Sequence, residues 1–283
     1  MLVGASVAKR SSRPWIVSDE LWVLIEPLLP VPVPVPKLVA GRPRVPDRRA
    51  LCGILFVLHT GIQWEYLPQE LGFGSGMTCW RRFAAWNEVR VWDRLHAILL
   101  TKLRSARQLD WSRAVIDSTH VRAARRGPKG GPSPVDRARP GSKHHILVDW
   151  QGIPLAVSLT GGNRNDMTQL LPLLAKIPSV AGLVGRPRRR PNVLLADQSY
   201  DHDKYRRLVW SQGIKPVIAR RGVPHGSGLG VDRWVVERTI AWLHGFRRLR
   251  VRWERRDDIH EAFLGLATCL ITYRHVQRLC RDP

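Results

Sequence analysis

Three apolar runs in this chain each lead into an acidic residue, and together they narrow what it can fold into. Ala114-Val115-Ile116 is followed by Asp117, Val193-Leu194-Leu195-Ala196 by Asp197, and Trp234-Val235-Val236 by Glu237. The first two runs have the length of buried strands, and the third opens an amphipathic helix. An Asp at a strand end lies beside the loops of a sheet. Two neighbouring strands of that kind, faced by a carboxylate from a helix, can hold a cation among oxygen ligands, a donor set that suits Mg²⁺ or Mn²⁺. A strand-end Asp is also a common turn-former or cap, so no one of the three decides the matter alone.

The charge of the chain says what such a site would act on. Its 283 residues carry 46 Lys and Arg against 23 Asp and Glu, a formal charge of +23. That balance attracts polyanions, nucleic acid above all. An apolar content of 44% is enough for a real core, so the charge is not a sign of general disorder. No apolar run approaches the ~20 residues of a membrane span, and the N-terminus lacks a signal layout. The expected location is the cytoplasm, beside the nucleoid. Cys52, Cys79, Cys269 and Cys280 form no CxxC pair and are expected to be idle thiols. His144-His145 has no partners at finger spacing, so structural zinc is not expected.

Along the chain, residues 1–17 are a basic arm. Ser18 offers an N-cap to a helix that ends at Pro30, and residues 30–46 form a proline-rich spacer. A helix over 47–59, a short helix ending at Gly72, and a helix over 76–87 follow. The last carries Trp80, Phe83 and Trp86 on one side and Thr78, Arg81 and Arg82 on the other, a helix-turn-helix-like pattern. A further helix over 92–103 closes an all-α region over 18–105. From residue 111 the period changes: strands over 113–117 and 193–197, a hairpin over 144–160, helices over 167–175 and 202–212, a strand over 215–219, then helix from Asp232 almost to the end. This order argues for an α/β fold, one mixed sheet flanked by helices.

The order of motifs carries a resemblance. Ser18-Asp19-Glu20-Leu21-Trp22 leads to Leu28-Leu29-Pro30 and then Gly41-Arg42-Pro43-Arg44. Asp117-Ser118-Thr119-His120-Val121-Arg122, Gly141-Ser142-Lys143-His144-His145 and Thr160-Gly161-Gly162-Asn163-Arg164-Asn165-Asp166 follow. Leu195-Ala196-Asp197 stands before Tyr200-Asp201, and Arg233-Trp234-Val235-Val236-Glu237-Arg238-Thr239 before Ala241-Trp242-Leu243. Over nearly its whole length the chain resembles the DDE transposases of bacterial insertion sequences, of the insertion-sequence-five type. The resemblance implies an RNase H-like catalytic core, here 111–283, behind a helical DNA-binding domain, here 18–105. It implies Asp117, Asp197 and Glu237 as catalytic residues and ligands of Mg²⁺ or Mn²⁺, two ions in all. It further implies duplex DNA as partner, both element ends and target, and a homodimer or higher oligomer on DNA. The activity implied is metal-dependent cleavage and strand transfer at the terminal inverted repeats. The alternative is a transposase-derived DNA-binding regulator without catalysis.

Two places depart from the family pattern. Gln198 and Ser199 replace a basic residue and Gly after the second Asp, and Gly230 and His244 replace the Tyr and Lys that flank Arg233 and Glu237 in a related signature. Candidate DNA contacts are Arg42, Arg44, Arg81, Arg82, Lys143, Arg233, His244, Arg247 and Arg248. Arg233, four residues before Glu237, could equally form a local ion pair with it. Asp166 reads as a turn or N-cap residue, with a supporting carboxylate as the alternative, and Asp149 reads as a turn residue. Gly41-Arg42-Pro43 and Gly185-Arg186-Pro187 read as phosphate-contacting linkers, with extended arms in an A·T-rich minor groove as the alternative.

Overall fold

The computed structural model describes residues 13–31, 43–220, 222 and 232–280. The central strand of its sheet is β1 (Arg113–Ala123). On one side β3 (Pro140–Asp149) runs antiparallel to it, from Ala114 opposite Asp149 to Arg122 opposite Gly141. On the other side β5 (Val193–Ala196) runs parallel, from Arg113 opposite Val193 to Val115 opposite Leu195. Beyond β3 lies β4 (Pro154–Gly161), antiparallel, and beyond β5 lies β6 (Lys215–Ile218), parallel. The order β4-β3-β1-β5-β6, three antiparallel strands and then two parallel ones, is the RNase H-like arrangement. Two-residue strands patch its ends: β2 (Gly131–Pro132) on β3 and β7 (Val251–Arg252) on β1.

Asp117 does not end its strand, as the sequence suggests. β1 continues six residues further because β3 pairs with it through Arg122, and β3 itself starts at Pro140 rather than His144. What stops near Asp117 is the neighbour: β5 ends at Ala196, so the two Asp residues flank a notch in the sheet.

The helices before the sheet are α1 (Asp19–Ile25), α2 (Asp47–Thr60), α3 (Gly76–Glu88) and α4 (Val91–Ser105). Ser18 and Ser75 cap α1 and α3, each side-chain oxygen accepting a backbone N–H of the first turn. The short helix expected before Gly72 is instead two 3₁₀ turns, Trp64–Tyr66 and Gln69–Leu71, with Pro68 between them. Proline supplies no N–H and disfavours helix in the residue before it.

After β4 come α5 (Leu170–Lys176), α6 (Asp203–Trp210), α7 (Trp234–Gly245), the short α8 (Arg247–Arg250) and α9 (Asp257–Leu279). The continuous C-terminal helix expected from the sequence is thus broken at Phe246, which is extended (φ −81, ψ 106), and at β7, whose backbone is used by β1.

The helices of 18–105 share one hydrophobic cluster with α7, α9 and one face of the sheet, including Leu51, Phe83, Trp86, Val115, Val236 and Phe263. Phe83 and Trp64 lie against Phe263 with ring centroids 4.5 and 5.6 Å apart. The helical region is therefore built into the core of the chain rather than hung from it. A second cluster fills the other face, with Leu103, Trp111, Leu147, Leu155, Leu194 and Val209. Among the described residues no disulfide joins the four cysteines.

Candidate active site

The notch beside β1 gathers the three acidic residues from three elements. Asp117 is on β1 and 6% exposed. Asp197 follows β5 directly and caps the 3₁₀ turn Gln198–Tyr200. Glu237 is in the first turn of α7 and exposed. Two of the carboxylates are anchored by neighbours in sequence. Asp117 Oδ1 accepts the Ser118 N–H at 2.8 Å, and Asp197 Oδ1 accepts the Ser199 N–H at 2.9 Å and the Ser199 hydroxyl at 2.5 Å. Asp117 Oδ2 faces Arg233 Nη2 at 3.4 Å, and Arg233 Nε lies 3.1 Å from Glu237 Oε1 as an ion pair.

Burial pushes the Asp117 carboxyl up to about 6. The Ser118 N–H and Arg233 pull it down, and Asp197 and Glu237 push it up. The three acids are thus close enough to feel one another, and a cation among them would relieve both the burial and the repulsion. Their oxygens are the donor chemistry of Mg²⁺ and Mn²⁺. Among the described residues no three His, Cys, Asp or Glu side chains stand ready as a cage, and Arg233 supplies the positive charge between Asp117 and Glu237.

Behind Asp117 lies a polar network that sequence reasoning reached only in part. Ser118 Oγ donates to Asp166 at 2.9 Å, and Lys143 Nζ reaches both Asp166 oxygens at 3.0 and 3.1 Å. Register brings them together, since β1 and β3 pair Ser118 with His145 and His120 with Lys143. Asn165, not Asp166, caps the turn that follows, which leaves the Asp166 carboxylate for this network. The Ser after each catalytic-type Asp was the available signal for the anchoring hydroxyls.

Against known families, residues 17–96 match the model described as "Putative transposase of IS4/5 family", and residues 111–228 and 229–272 match "Transposase DDE domain". The chain belongs to the DDE transposases of insertion sequences. It is 61% identical over 151 residues to the "Putative transposase for insertion sequence element IS402" of Burkholderia cepacia, covering 53% of this chain and 72% of that relative. It is 56% identical over 119 residues to the "Insertion element IS402 uncharacterized 16.2 kDa protein" of the same organism, 42% of this chain and 81% of that one. Among solved structures it is similar to the catalytic domain of Mos1 mariner transposase at 13% identity and a TM-score of 0.27, over 68% of this chain and 93% of that one.

The transposase places the expected DNA contacts unevenly. Arg44, Arg81, Arg233 and Arg247 are exposed. Arg82 is half-buried and paired with Asp47, which also accepts from Arg44 at 2.9 Å. Arg42 lies outside the described residues, as does Gly230.

Three of the expected contacts face inward. Lys143 is 5% exposed and spends its ammonium on Asp166 and the Arg164 carbonyl. Arg248 is 3% exposed, bonded to Glu254 at 2.5 Å and to the carbonyls of Gly61 and Ile62. It faces inward because the chain break at Phe246 turns the arginine run out of a single helical face. His244 is half-buried, its Nε2 is enclosed without a partner, and burial and then Arg250 push its pKa down. Its enclosed Nε2 is turned toward the protein.

His144 and His145 are both buried, because both faces of β3 are covered. His144 Nε2 lies 2.9 Å from His260 Nε2, and His145 Nε2 lies 2.7 Å from Thr160 Oγ1. Asp149 is the turn residue expected, fully buried, accepting N–H groups of Asp110, Gln151 and Ile153. No described helix is long and apolar enough to cross a membrane.

Proposed function

We propose that this transposase binds the terminal inverted repeats of its own insertion sequence, cuts phosphodiesters there, and joins the freed 3′ end to target DNA. The observation that carries the proposal is the convergence of Asp117, Asp197 and Glu237, from β1, the end of β5 and α7, within reach of one another's charge. In a chain of formal charge +23 the substrate that fits such a site is a DNA phosphodiester.

Asp117 and Asp197 each keep Oδ1 on a serine, which fixes their direction, and Asp117 Oδ2 faces Arg233. Glu237 and Arg233, both exposed on one face of α7, can part to admit phosphate, with Arg233 then free to contact it. Two Mg²⁺ or Mn²⁺ ions held by these carboxylates would supply a lowered pKa for attacking water and charge stabilisation at the leaving oxygen. Water attacks phosphorus and the P–O3′ bond breaks, leaving a 5′-phosphate and a 3′-hydroxyl; that 3′-hydroxyl then attacks a target phosphorus, whose own P–O3′ bond breaks to release a target 3′-hydroxyl. No covalent link to the protein is needed.

The helices of 18–105 serve as reader of the element ends, with the exposed Arg81 of α3 and Arg44 before α2 as contacts. Arg247, exposed at the start of α8, joins them on the catalytic side. The protein works in the bacterial cytoplasm as a dimer or higher oligomer assembled on DNA.

Labelled element ends incubated with and without Mg²⁺ test the proposal. Nicking that requires the cation and disappears in Asp117→Asn supports it. End-specific binding without nicking at any Mg²⁺ or Mn²⁺ concentration supports instead a DNA-binding regulator, a reading favoured only by the Arg233 bridge across the acidic site.

A further inference from the structure

At the end of β5 opposite to Asp197, before the strand begins, Arg104, Arg186, Pro187, Arg188, Arg189 and Arg190 line a cleft of about 480 Å³. Every ionisable side chain in that lining is a guanidinium. Among the described residues no carboxylate forms an ion pair with any of the five arginines. Asp110 is near enough to be felt by Arg188 but makes no such contact.

These cations are held in place by neutral groups. Arg104 is only 9% exposed, and its guanidinium donates to the carbonyls of Val180 and, at 3.3 Å, Arg186. Arg190 donates to the Gln212 carbonyl at 2.9 Å, Arg188 to Asn192, and Arg189 to the Ile177 carbonyl at 3.4 Å. Arg188 also lies 5.6 Å over the Trp111 ring. A buried guanidinium without a counter-charge, beside others of its sign, is costly unless an anion completes the site.

The segment leading into the cleft has a second feature. Val180 and Arg188 exchange backbone hydrogen bonds at 2.9 and 2.8 Å, closing the base of a loop over 181–187. Leu183 and Val184 sit on its tip, the latter fully exposed, between Gly182 and Gly185 at positive φ. A free inorganic anion has no use for an apolar tip. Apolar side chains flanked by arginines are how proteins enter the minor groove of duplex DNA.

We propose that the loop over 180–190, together with Arg104, is a second duplex-DNA contact of this transposase, separate from the carboxylate site, with the arginines on backbone phosphates and Leu183-Val184 at the minor groove. Arg190 precedes Asp197 by seven residues, so the two sites stand up to about 20 Å apart along β5. One duplex running from the cut phosphate could reach both, as could a second duplex. The proposal rests on this protein being a DNA transposase, but its test does not require cutting.

Binding of a labelled duplex of about 40 base pairs, long enough at 3.4 Å per pair to pass both sites, is measured with the full chain in EDTA over a range of salt. Wild type is compared with Arg186→Glu and with the double variant Arg188→Gln/Arg190→Gln. Among the described residues the Arg186 side chain has no hydrogen-bond or ion-pair partner, so its replacement leaves the fold intact, which thermal melting checks.

The expected result is at least a tenfold weaker Kd for Arg186→Glu. The slope of log affinity against log salt should be shallower by about 0.9 for each phosphate no longer neutralised. Photo-crosslinking from a probe on the single variant Val184→Cys should label the duplex. Unchanged affinity and slope in both variants, with wild type binding well, overturns the second contact while leaving the transposase reading intact. Failure of wild type to bind duplex at all overturns that reading as well. If millimolar inorganic phosphate abolishes the difference between wild type and Arg186→Glu, the cleft is a free-anion site and the duplex contact is wrong.

Discussion

Arg233 stands with its Nη2 3.4 Å from Asp117 and its Nε 3.1 Å from Glu237, so one guanidinium spans two of the three acids of the site. Without it, Asp117 would face Asp197 and Glu237 with only the Ser118 N–H in its favour. Arg233→Ala should therefore lower the melting temperature in EDTA and enlarge the rise that Mn²⁺ produces. A Mn²⁺-induced shift no larger than in wild type would show that Arg233 and the cation do not share a place.

Asp117→Asn, Asp197→Asn and Glu237→Gln should each lower nicking by roughly a thousandfold or more, since each removes a charged ligand with little change of volume. Duplex affinity should be nearly unchanged. Glu254, the next glutamate along the chain after Glu237, serves as contrast. It is buried between Arg248 and His260, so Glu254→Gln should destabilise by about 3–5 kcal/mol. Denaturant melts alongside nicking assays separate the two classes, and a stable, inactive Glu254→Gln would move the third ligand away from Glu237.

Asp117 predicts an unusual pH dependence of stability in the metal-free protein. Its folded pKa is about 6, above the ordinary 3.8, because burial disfavours the charge. The native state then holds a proton that the unfolded state has released, so stability falls as pH rises from about 3.8 through about 6. At pH 7 the cost is about 3 kcal/mol, and Asp117→Asn should recover most of it. Melts of wild type and variant at pH 4 and pH 7 check the sign: the gain from the variant should be present at pH 7 and nearly absent at pH 4. Nicking by wild type should fall below about pH 6 as the same carboxyl takes up its proton.

Lys143 sits in a motif of the family, yet its ammonium is committed to Asp166 inside the protein. Lys143→Met should leave Asp166 buried without its counter-charge and lower stability by several kcal/mol. The salt slope of DNA binding should not change, because this ammonium neutralises no phosphate. A slope shallower by about 0.9 in a folded Lys143→Met would return Lys143 to the DNA surface.

Sequence alone determined the two strands that carry Asp117 and Asp197, the hairpin over β3 and β4, the capped helices α1 and α3, and the family. Each rests on local signals: apolar runs of strand length, a serine before acidic residues, and motifs in a fixed order. The convergence of Asp117, Asp197 and Glu237 was left open by the apolar runs that lead into them and implied by the family, because residues so far apart in the chain meet only when the strand order is known.

Tertiary structure alone decided the rest. β1 runs past Asp117 because its partner β3 does, and no local pattern reports a partner's length. Arg248 and Lys143 are buried because acceptors from distant segments, Ile62 and Asp166, meet them there. An arginine or lysine reads the same in sequence whether its charge faces water, a phosphate or a buried carboxylate. Only the position of the opposite charge, fixed by packing, tells these apart.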